Sequence, residues 1–476
     1  MLVARIIVLG AGICGLSAGI LLSRDGHEVT VLERDAEPVP ESTEDAFERW
    51  SRGGVSQFHQ AHVLLPRGRA MLDQAMPDVL AALKDAGGQQ FDFLTLMPPS
   101  ITDRTPRVDD HRFATISARR AVLEQVLGRV ADSEPGLELR RGVAVREPVA
   151  GADHGTPHVT GVRTESGVQL EADLVVDAMG RRSQLPRWLE QAGATPMHEE
   201  AEDSGFIYYT RYFRDAGGGT PAFRAPTLTA VGSFSVLTIP ADNGVWSVTL
   251  YISAGDRPLK RLRDPGVWEA LVGACPLHAQ WLEGEPVSDV LAMGGVVDRY
   301  RRLIVDGQPV ATGIVPVGDA WACSNPSQGR GMTLGFLHVQ ILRDVVREHV
   351  NRPSELAQAL DARTEAELTP WYRETVTEDR ARVSEIEALR EGRAPEVDGS
   401  DSAALRRAML AAVARDPDVF RAFLASRCCL TTLSEALSDR AFAERVGELA
   451  RGSERFPMPG PDRAQVLALI DDAAAA

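Results

Sequence analysis

Residues 5–33 read RIIVLGAGICGLSAGILLSRDGHEVTVLE, and this stretch decides the fold. Arg5 to Leu9 is a short β-branched run stopped by glycine, the pattern of a strand buried in a parallel sheet. Residues 13–23 carry helical spacing and Glu28 to Leu32 is a second apolar strand, so the stretch reads as a βαβ unit. Between strand and helix stands Gly10-Ala11-Gly12-Ile13-Cys14-Gly15, a G-x-G-x-x-G pattern. Gly10 permits the tight turn, Gly12 lets the backbone approach a pyrophosphate, and Gly15 allows the helix to pack closely on the strand. The helix start offers unpaired N–H groups to the phosphates. Glu33, at the end of the second strand and followed by Arg34, suits the hydroxyls of a ribose. The expectation is a dinucleotide-binding domain.

Ile6 to Ser23 is uncharged and imitates a signal peptide or membrane span. Four glycines within it and the polar Arg24-Asp25-Gly26-His27 that follows argue against both. We therefore expect no membrane span and a cytoplasmic protein. The 476 residues carry 51 Lys+Arg against 67 Asp+Glu, a net charge of −16 that disfavours nucleic acid or an anionic membrane surface as partner. Only Lys84 and Lys260 are lysines; almost every cation is arginine. Five cysteines without a C-x-x-C pair suggest neither a disulfide framework nor a zinc site.

Further along, ADLVVDAM (172–179) and PVATGIVPV (309–317) repeat the style of the first strand, each followed by glycine. Strands so far apart in one style imply a single parallel sheet with long insertions. The insertion from about 191 to 295 differs: GFIYYTRYF (205–213) and FSVLTIPADNGVWSVTLYIS (234–253) read as antiparallel strands, with Asp242-Asn243-Gly244 as a hairpin turn. We expect an α/β protein with three parts. A Rossmann-like domain comprises 1–75, 105–190 and 296–350; an antiparallel β-sheet substrate domain comprises 76–104 and 191–295; residues 351–476 form a helical C-terminal region. The aromatic side chains Phe206, Tyr208, Tyr209, Tyr212, Phe213 and Trp246 are expected to wall the pocket, although aromatic strand positions are commonly core.

Three further segments stand out: Arg52-Gly53-Gly54-Val55-Ser56-Gln57 with His59 and His62 after it, Asp177-Ala178-Met179-Gly180-Arg181-Arg182-Ser183, and Gly318-Asp319-Ala320. With the single glycine fingerprint they resemble the group A flavoprotein monooxygenases, the superfamily of para-hydroxybenzoate hydroxylase, and within it actinomycete polyketide hydroxylases and polyether epoxidases. The resemblance covers residues 1 to about 345. It implies FAD as cofactor, O2 as co-substrate, and reduction by NAD(P)H directly or by a separate flavin reductase.

Residue by residue, it implies that Asp177 and Gly318-Asp319 contact the cofactor, Asp319 accepting a ribityl or ribose hydroxyl. Read alone, Asp319 could instead cap the next helix, a role that Ser324 or Asn325 would fill equally well. Arg120 matches a helix arginine beside the cofactor, with Arg119 one position off. Pro326, Gly329, Gly331 and Met332 open a long helix whose positive end faces the flavin ring. His59, His62 and Pro326 are the candidate catalytic residues; two histidines three apart are otherwise packing or capping groups. Cys14 needs only to be small. Ala178 in the Asp177 segment leaves direct NADPH use open.

The activity so implied is hydroxylation or epoxidation of a small apolar substrate of the secondary-metabolite, polyketide kind, through a flavin C4a-hydroperoxide. Two relatives in fold remain as alternatives. A double-bond reductase of isoprenoids makes no oxygenated product. A halogenase requires a W-x-W-x-I-P segment and a first-domain lysine; Trp246 has no partner tryptophan here.

Overall fold

A computed structural model describes residues 3–153, 155–215, 217–394, 399–452 and 458–475. The chain begins with β1 (Arg5–Leu9), α1 (Ile13–Arg24) and β2 (Glu28–Glu33), then α2 (Arg120–Ser133), β3 (Leu137–Arg141) and β4 (Leu174–Asp177). The insertion supplies β5 (Phe206–Arg214), β6 (Leu228–Val231), β7 (Phe234–Pro240), β8 (Val245–Ser253), α3 (Pro265–Gly273) and β9 (Leu291–Gly294). The chain returns through β10 (Ile314–Pro316) into α4 (Gly331–His349). The C-terminal region is helical and includes α5 (Thr369–Arg390), α6 (Pro417–Arg427) and α7 (Arg463–Ala475). Among the described residues, no helix is long and apolar enough to cross a membrane.

The parallel sheet runs β10-β4-β1-β2-β3. Ile6 to Leu9 and Leu174 to Val176 are buried, as strands covered on both faces must be. Strand β10 is shorter than 309–317 suggested. Gly313, at φ +74°, turns the chain there, and a Cβ on it would sit 2.1 Å from the Val159 carbonyl oxygen. Asp416-Pro417 divides the C-terminal helical pattern as its chemistry dictates: the Asp416 carboxylate accepts from the Asp418 and Val419 N–H groups and caps α6.

The insertion is an antiparallel sheet, β6-β7-β8-β5, whose far edge pairs with Glu285–Pro286 and β9. Asn243 (φ 52°) and Gly244 (φ 67°) make the left-handed turn between β7 and β8. Strand alternation gives the sheet two faces. Tyr209 and Phe213 of β5 and Trp246, Val248 and Leu250 of β8 pack on Trp268 of α3, and Val466 and Ile470 of α7 join them. The inner face points at the rest of the protein.

Residues 76–104 do not join this sheet. Val79, Leu80, Leu83, Phe93 and Met97 share the core of the parallel sheet, and the strand Gln89–Asp92 pairs with Ala114–Ser117. The helix Pro77–Asp85 has one apolar stripe, and burying it against the parallel-sheet core settles where the segment lies.

The two parts are clamped by charge. Arg119, at the start of α2, holds the Asp242 carboxylate through its backbone N–H and its guanidinium, and both side chains are fully buried. The guanidinium also lies over Phe47 and reaches Glu44. Asp242→Ala leaves a buried arginine with only the partly exposed Glu44, so the stability measured by urea unfolding should fall by about 3 kcal/mol.

Candidate active site

The described residues line a cavity of about 460 Å3 that begins at the carboxyl ends of β1 and β2 and reaches the inner face of the antiparallel sheet. Its first end is the fingerprint. Gly10 (φ +94°) turns the chain, and Gly15 sits so tightly that a Cβ would lie 1.8 Å from the Gly10 carbonyl oxygen. Gly15 does not line the cavity; it brings α1 onto β1. Gly12 is the opposite case: it does line the cavity, and a Cβ there would meet nothing within 4 Å. Room for a ligand therefore lies directly over the N-terminus of α1.

Glu33 lines the same end. Its carboxylate accepts the Ala11 N–H (2.9 Å), the Asp35 N–H (3.0 Å) and the Arg52 guanidinium (2.9 Å). A carboxylate has about four acceptor positions, so about one remains for a ribose hydroxyl. Arg34, half exposed, lies over Gly54 at the cavity edge.

Arg52 was legible only as part of a motif, yet it is central. Its guanidinium meets Glu33, Asp35 (3.4 Å) and the fully buried Glu124 (3.5 Å) and donates to the Ala11 carbonyl (3.0 Å). Glu124 in turn accepts from Arg120 Nε at 2.8 Å. Charges thus alternate from Glu33 through Arg52 and Glu124 to Arg120, which lines the cavity. The spacing of Arg120 and Glu124, one helical turn apart, is the signal by which sequence could have found this relay. Arg119, the alternative to Arg120, is spent on Asp242.

Farther along, Gly318 (φ +58°) and Asp319 form the wall. A Cβ on Gly318, or on Gly335 of α4, would lie 2.6 Å from Cys14 Sγ. Cys14 is therefore a packing group, and burial pushes its thiol up to about 12. Burial also raises the Asp319 carboxyl, opposed by Arg120 and a hydrogen bond from Gln57. Pro326, Gly329 (φ +66°), Gly331 and Met332 then line the cavity where α4 begins, and Gly331, like Gly12, leaves open space where a Cβ would be.

Three expected residues do not reach the cavity. Asp177 lies behind it, accepting from the Met179 N–H (3.0 Å) and the Ser183 hydroxyl; it shapes the turn 178–183 that does line the cavity, and burial raises its carboxyl to about 6. His59 hydrogen-bonds the Phe47 carbonyl (2.9 Å) and packs edge-on against Phe47 and Phe58, a capping and packing role. Gly15 is the third. His62 does line the cavity, bonded through Nδ1 to the Gln60 carbonyl at 2.8 Å with Nε2 towards Arg120 at 3.4 Å. Removal from water, and then the Arg120 charge, lower its imidazole to about 3, so it is neutral.

The antiparallel sheet's share of the pocket wall is aliphatic where aromatic residues were expected. Tyr212 is covered by Phe47 and Phe58, and Phe206 and Tyr208 by Ile386 and Val383 of α5. Tyr209, Phe213 and Trp246 face α3. What remains open is Leu228 of β6, Leu237 and Ile239 of β7, Met293 of β9 and Val296, joined by Phe93.

Residues 3–351 match the model of the family described as FAD binding domain. The chain belongs to this family. It is thus an FAD-dependent oxidoreductase of the monooxygenase type that its motifs resemble. It is 28% identical over 370 residues to the Mycobacterium tuberculosis protein Rv3254, which covers 72% of each chain. It is 23% identical over 369 residues to kynurenine 3-monooxygenase of Salinispora arenicola, 74% of each chain. Its fold is similar to that of PqsL, a probable FAD-dependent monooxygenase from Pseudomonas aeruginosa, with a TM-score of 0.61, 19% identity, and coverage of 81% of this chain and 96% of that one.

The cavity fits such a cofactor by its own chemistry: an acceptor at Glu33, a helix N-terminus bare of side chain at Gly12, a carboxyl at Asp319 and a second open helix start at Gly331. Gly12 is also the N-cap of α1, where aspartate is among the preferred residues. Gly12→Asp should therefore keep or raise the stability of the FAD-free protein while weakening FAD binding on the order of a hundredfold, the effect of a like charge near the phosphates. Gly15→Ala should do the reverse, lowering stability by about 3 kcal/mol through overpacking. Thermal unfolding and FAD titration of the two variants check the pair.

Proposed function

We propose that this flavoenzyme hydroxylates or epoxidises a small apolar molecule, of the secondary-metabolite kind, with one oxygen atom of O2. The observation that carries the reading is the continuity of the cavity: the aliphatic chamber under β6, β7 and β9 opens directly onto the loop Pro326–Met332. In this reading Gly10, Gly12, Glu33 and Arg34 hold the adenosine and phosphate half of FAD. Arg120 and Gly318-Asp319 hold its middle, and Pro326, Gly329, Gly331 and Met332 face the ring. FAD, once reduced, supplies the activation of O2; the protein supplies orientation and a dry chamber. NAD(P)H, or a separate flavin reductase, supplies the electrons.

The chain's own residues favour a reaction that needs little acid-base help. His62 is held neutral with one nitrogen on Gln60 and the other turned to Arg120, which makes it a weak base. Pro326 has no proton to give and acts through its backbone. Neither lysine lines the cavity and both are exposed, which weighs against halogenase chemistry. The name of the relative from Salinispora arenicola supports a monooxygenase over a reductase.

Turnover of an apolar alkene or arene under 18O2 should give product heavier by one labelled oxygen, the second atom leaving as water. Unlabelled or merely reduced product would overturn the assignment. His62→Gln, in protein that still holds FAD, should slow turnover by less than about a thousandfold, the upper part of the range for general acid-base catalysis being about ten-thousandfold.

A further inference from the structure

The loop Asn325–Gly331 has two sides, and only one belongs to the cavity. Pro326, Ser327, Gln328, Gly329 and Gly331 face the cavity. The other side is tied to α5, a helix that lies entirely beyond the family match at residue 351. Ser327 Oγ donates to Asp379 Oδ1 at 2.6 Å. The Arg330 guanidinium donates to Thr375 Oγ1 (3.0 Å) and Glu374 Oε1 (3.3 Å) and lies over the Trp371 ring at 5.4 Å. Trp371, Glu374, Thr375 and Asp379 follow the spacing of one helical face, so a whole stripe of α5 is given over to this loop.

Asn325 closes the arrangement. Its backbone N–H donates to Asp298 Oδ1 at 2.6 Å and its side-chain oxygen accepts from the Tyr208 hydroxyl at 2.6 Å. The remaining amide NH2 and the second oxygen of Asp379 are buried without a hydrogen-bond partner, and the Asn325 amide acts on the Asp379 carboxyl. Asn325, Ser327, Arg330 and Asp379 are all within 3% of full burial. Polar groups so enclosed are costly unless each is paired, and a paired set admits one geometry. Burial raises the Asp379 carboxyl to about 7, opposed by Ser327 and Asn325.

We propose that Asp379 is a positioning residue of the active site: through Ser327 and Asn325 it fixes the backbone of the loop that faces the flavin ring, so that the C-terminal region completes the cofactor site. The proposal rests on the reading of the cavity as the FAD site. Asp379 does not line the cavity, and its effect passes through the loop.

The test is a double-mutant cycle on FAD affinity with Asp379→Ala, Ser327→Ala and the two combined, alongside Asp379→Asn and Asp319→Ala. Loss of one buried hydrogen bond should raise the Kd for FAD about tenfold in each single variant. The double variant should be no weaker than either single one, the mark of one shared interaction. The absorption spectrum of the bound flavin should shift in both, and Asp379→Asn, which keeps an oxygen acceptor, should restore both spectrum and affinity. If Asp379→Ala does not fold, Ser327→Ala carries the test: a wild-type Kd and spectrum in that variant would overturn the proposal. Asp379→Ala with wild-type Kd and spectrum would overturn the proposal, as would additive effects of the two sites. If Asp319→Ala loses FAD while those variants do not change, only this proposal fails; if Asp319→Ala also keeps FAD, the reading of the cavity fails with it.

Discussion

The rest of the site depends on one buried cation. Arg52 lies among Glu33, Asp35 and Glu124, and an arginine taken out of water at such a place is tolerated only because three carboxylates and the Ala11 carbonyl surround it. The dependence is mutual. Glu33 and Glu124 are themselves buried and would be costly without Arg52. The consequence is geometric: Glu33 is fixed at the end of β2, the fingerprint turn is held through Ala11, and Arg120 is aimed into the cavity by Glu124. A network of opposite charges so closely placed has few alternative arrangements, which is what a preorganised ligand site requires.

A second constraint acts on the sheet side of the cavity. The inner face of the antiparallel sheet is broad and carries Tyr208, Tyr212 and Tyr251, but the segment around Phe47 and Phe58 covers one part and α5 covers another. The part left uncovered is Leu237 and Ile239 on β7 with Leu228 and Met293 beside them. The pocket is therefore defined by what fails to cover the sheet. Its apolar character follows from strand alternation, since these positions sit on the face that β7 turns inward.

The parts legible in the sequence are those whose physics is local. A glycine that must admit a helix and a strand bounded by turns each declare themselves within a few residues, and Gly15 and β1 were read so. The roles of Gly10, Gly12, Arg120 and the Gly318 to Met332 segment as cavity wall were legible through motifs. What stayed hidden depends on partners far along the chain. Asp177 is a buried organiser because Ser183 folds back over it, and His59 is a packing group because Phe47 and Phe58 close around it. The segment 76–104 has strand and turn signals that suit either sheet, and only the apolar stripe of its helix finds the parallel one. The aromatic residues of β5 look identical in sequence whether a helix covers them or a ligand does.

The same reasoning bears on the C-terminal region, whose composition says only that it is helical. Its helix α5 does two things at once. Through Ile386 and Val383 it seals the aromatic part of the sheet, and through Trp371, Glu374, Thr375 and Asp379 it meets the loop at the start of α4. Tyr372, on the same helix, reaches the cavity itself, as does Arg427 at the end of α6. A helix that packs on the sheet by one face and holds a polar loop by another couples the sheet side of the cavity to the loop at the start of α4. Apolar packing alone would let α5 slide by a fraction of a turn at small cost, whereas paired buried polar groups penalise each displaced partner separately. The register of α5 against the loop is thus set by its few polar contacts, while its attachment is set by its many apolar ones.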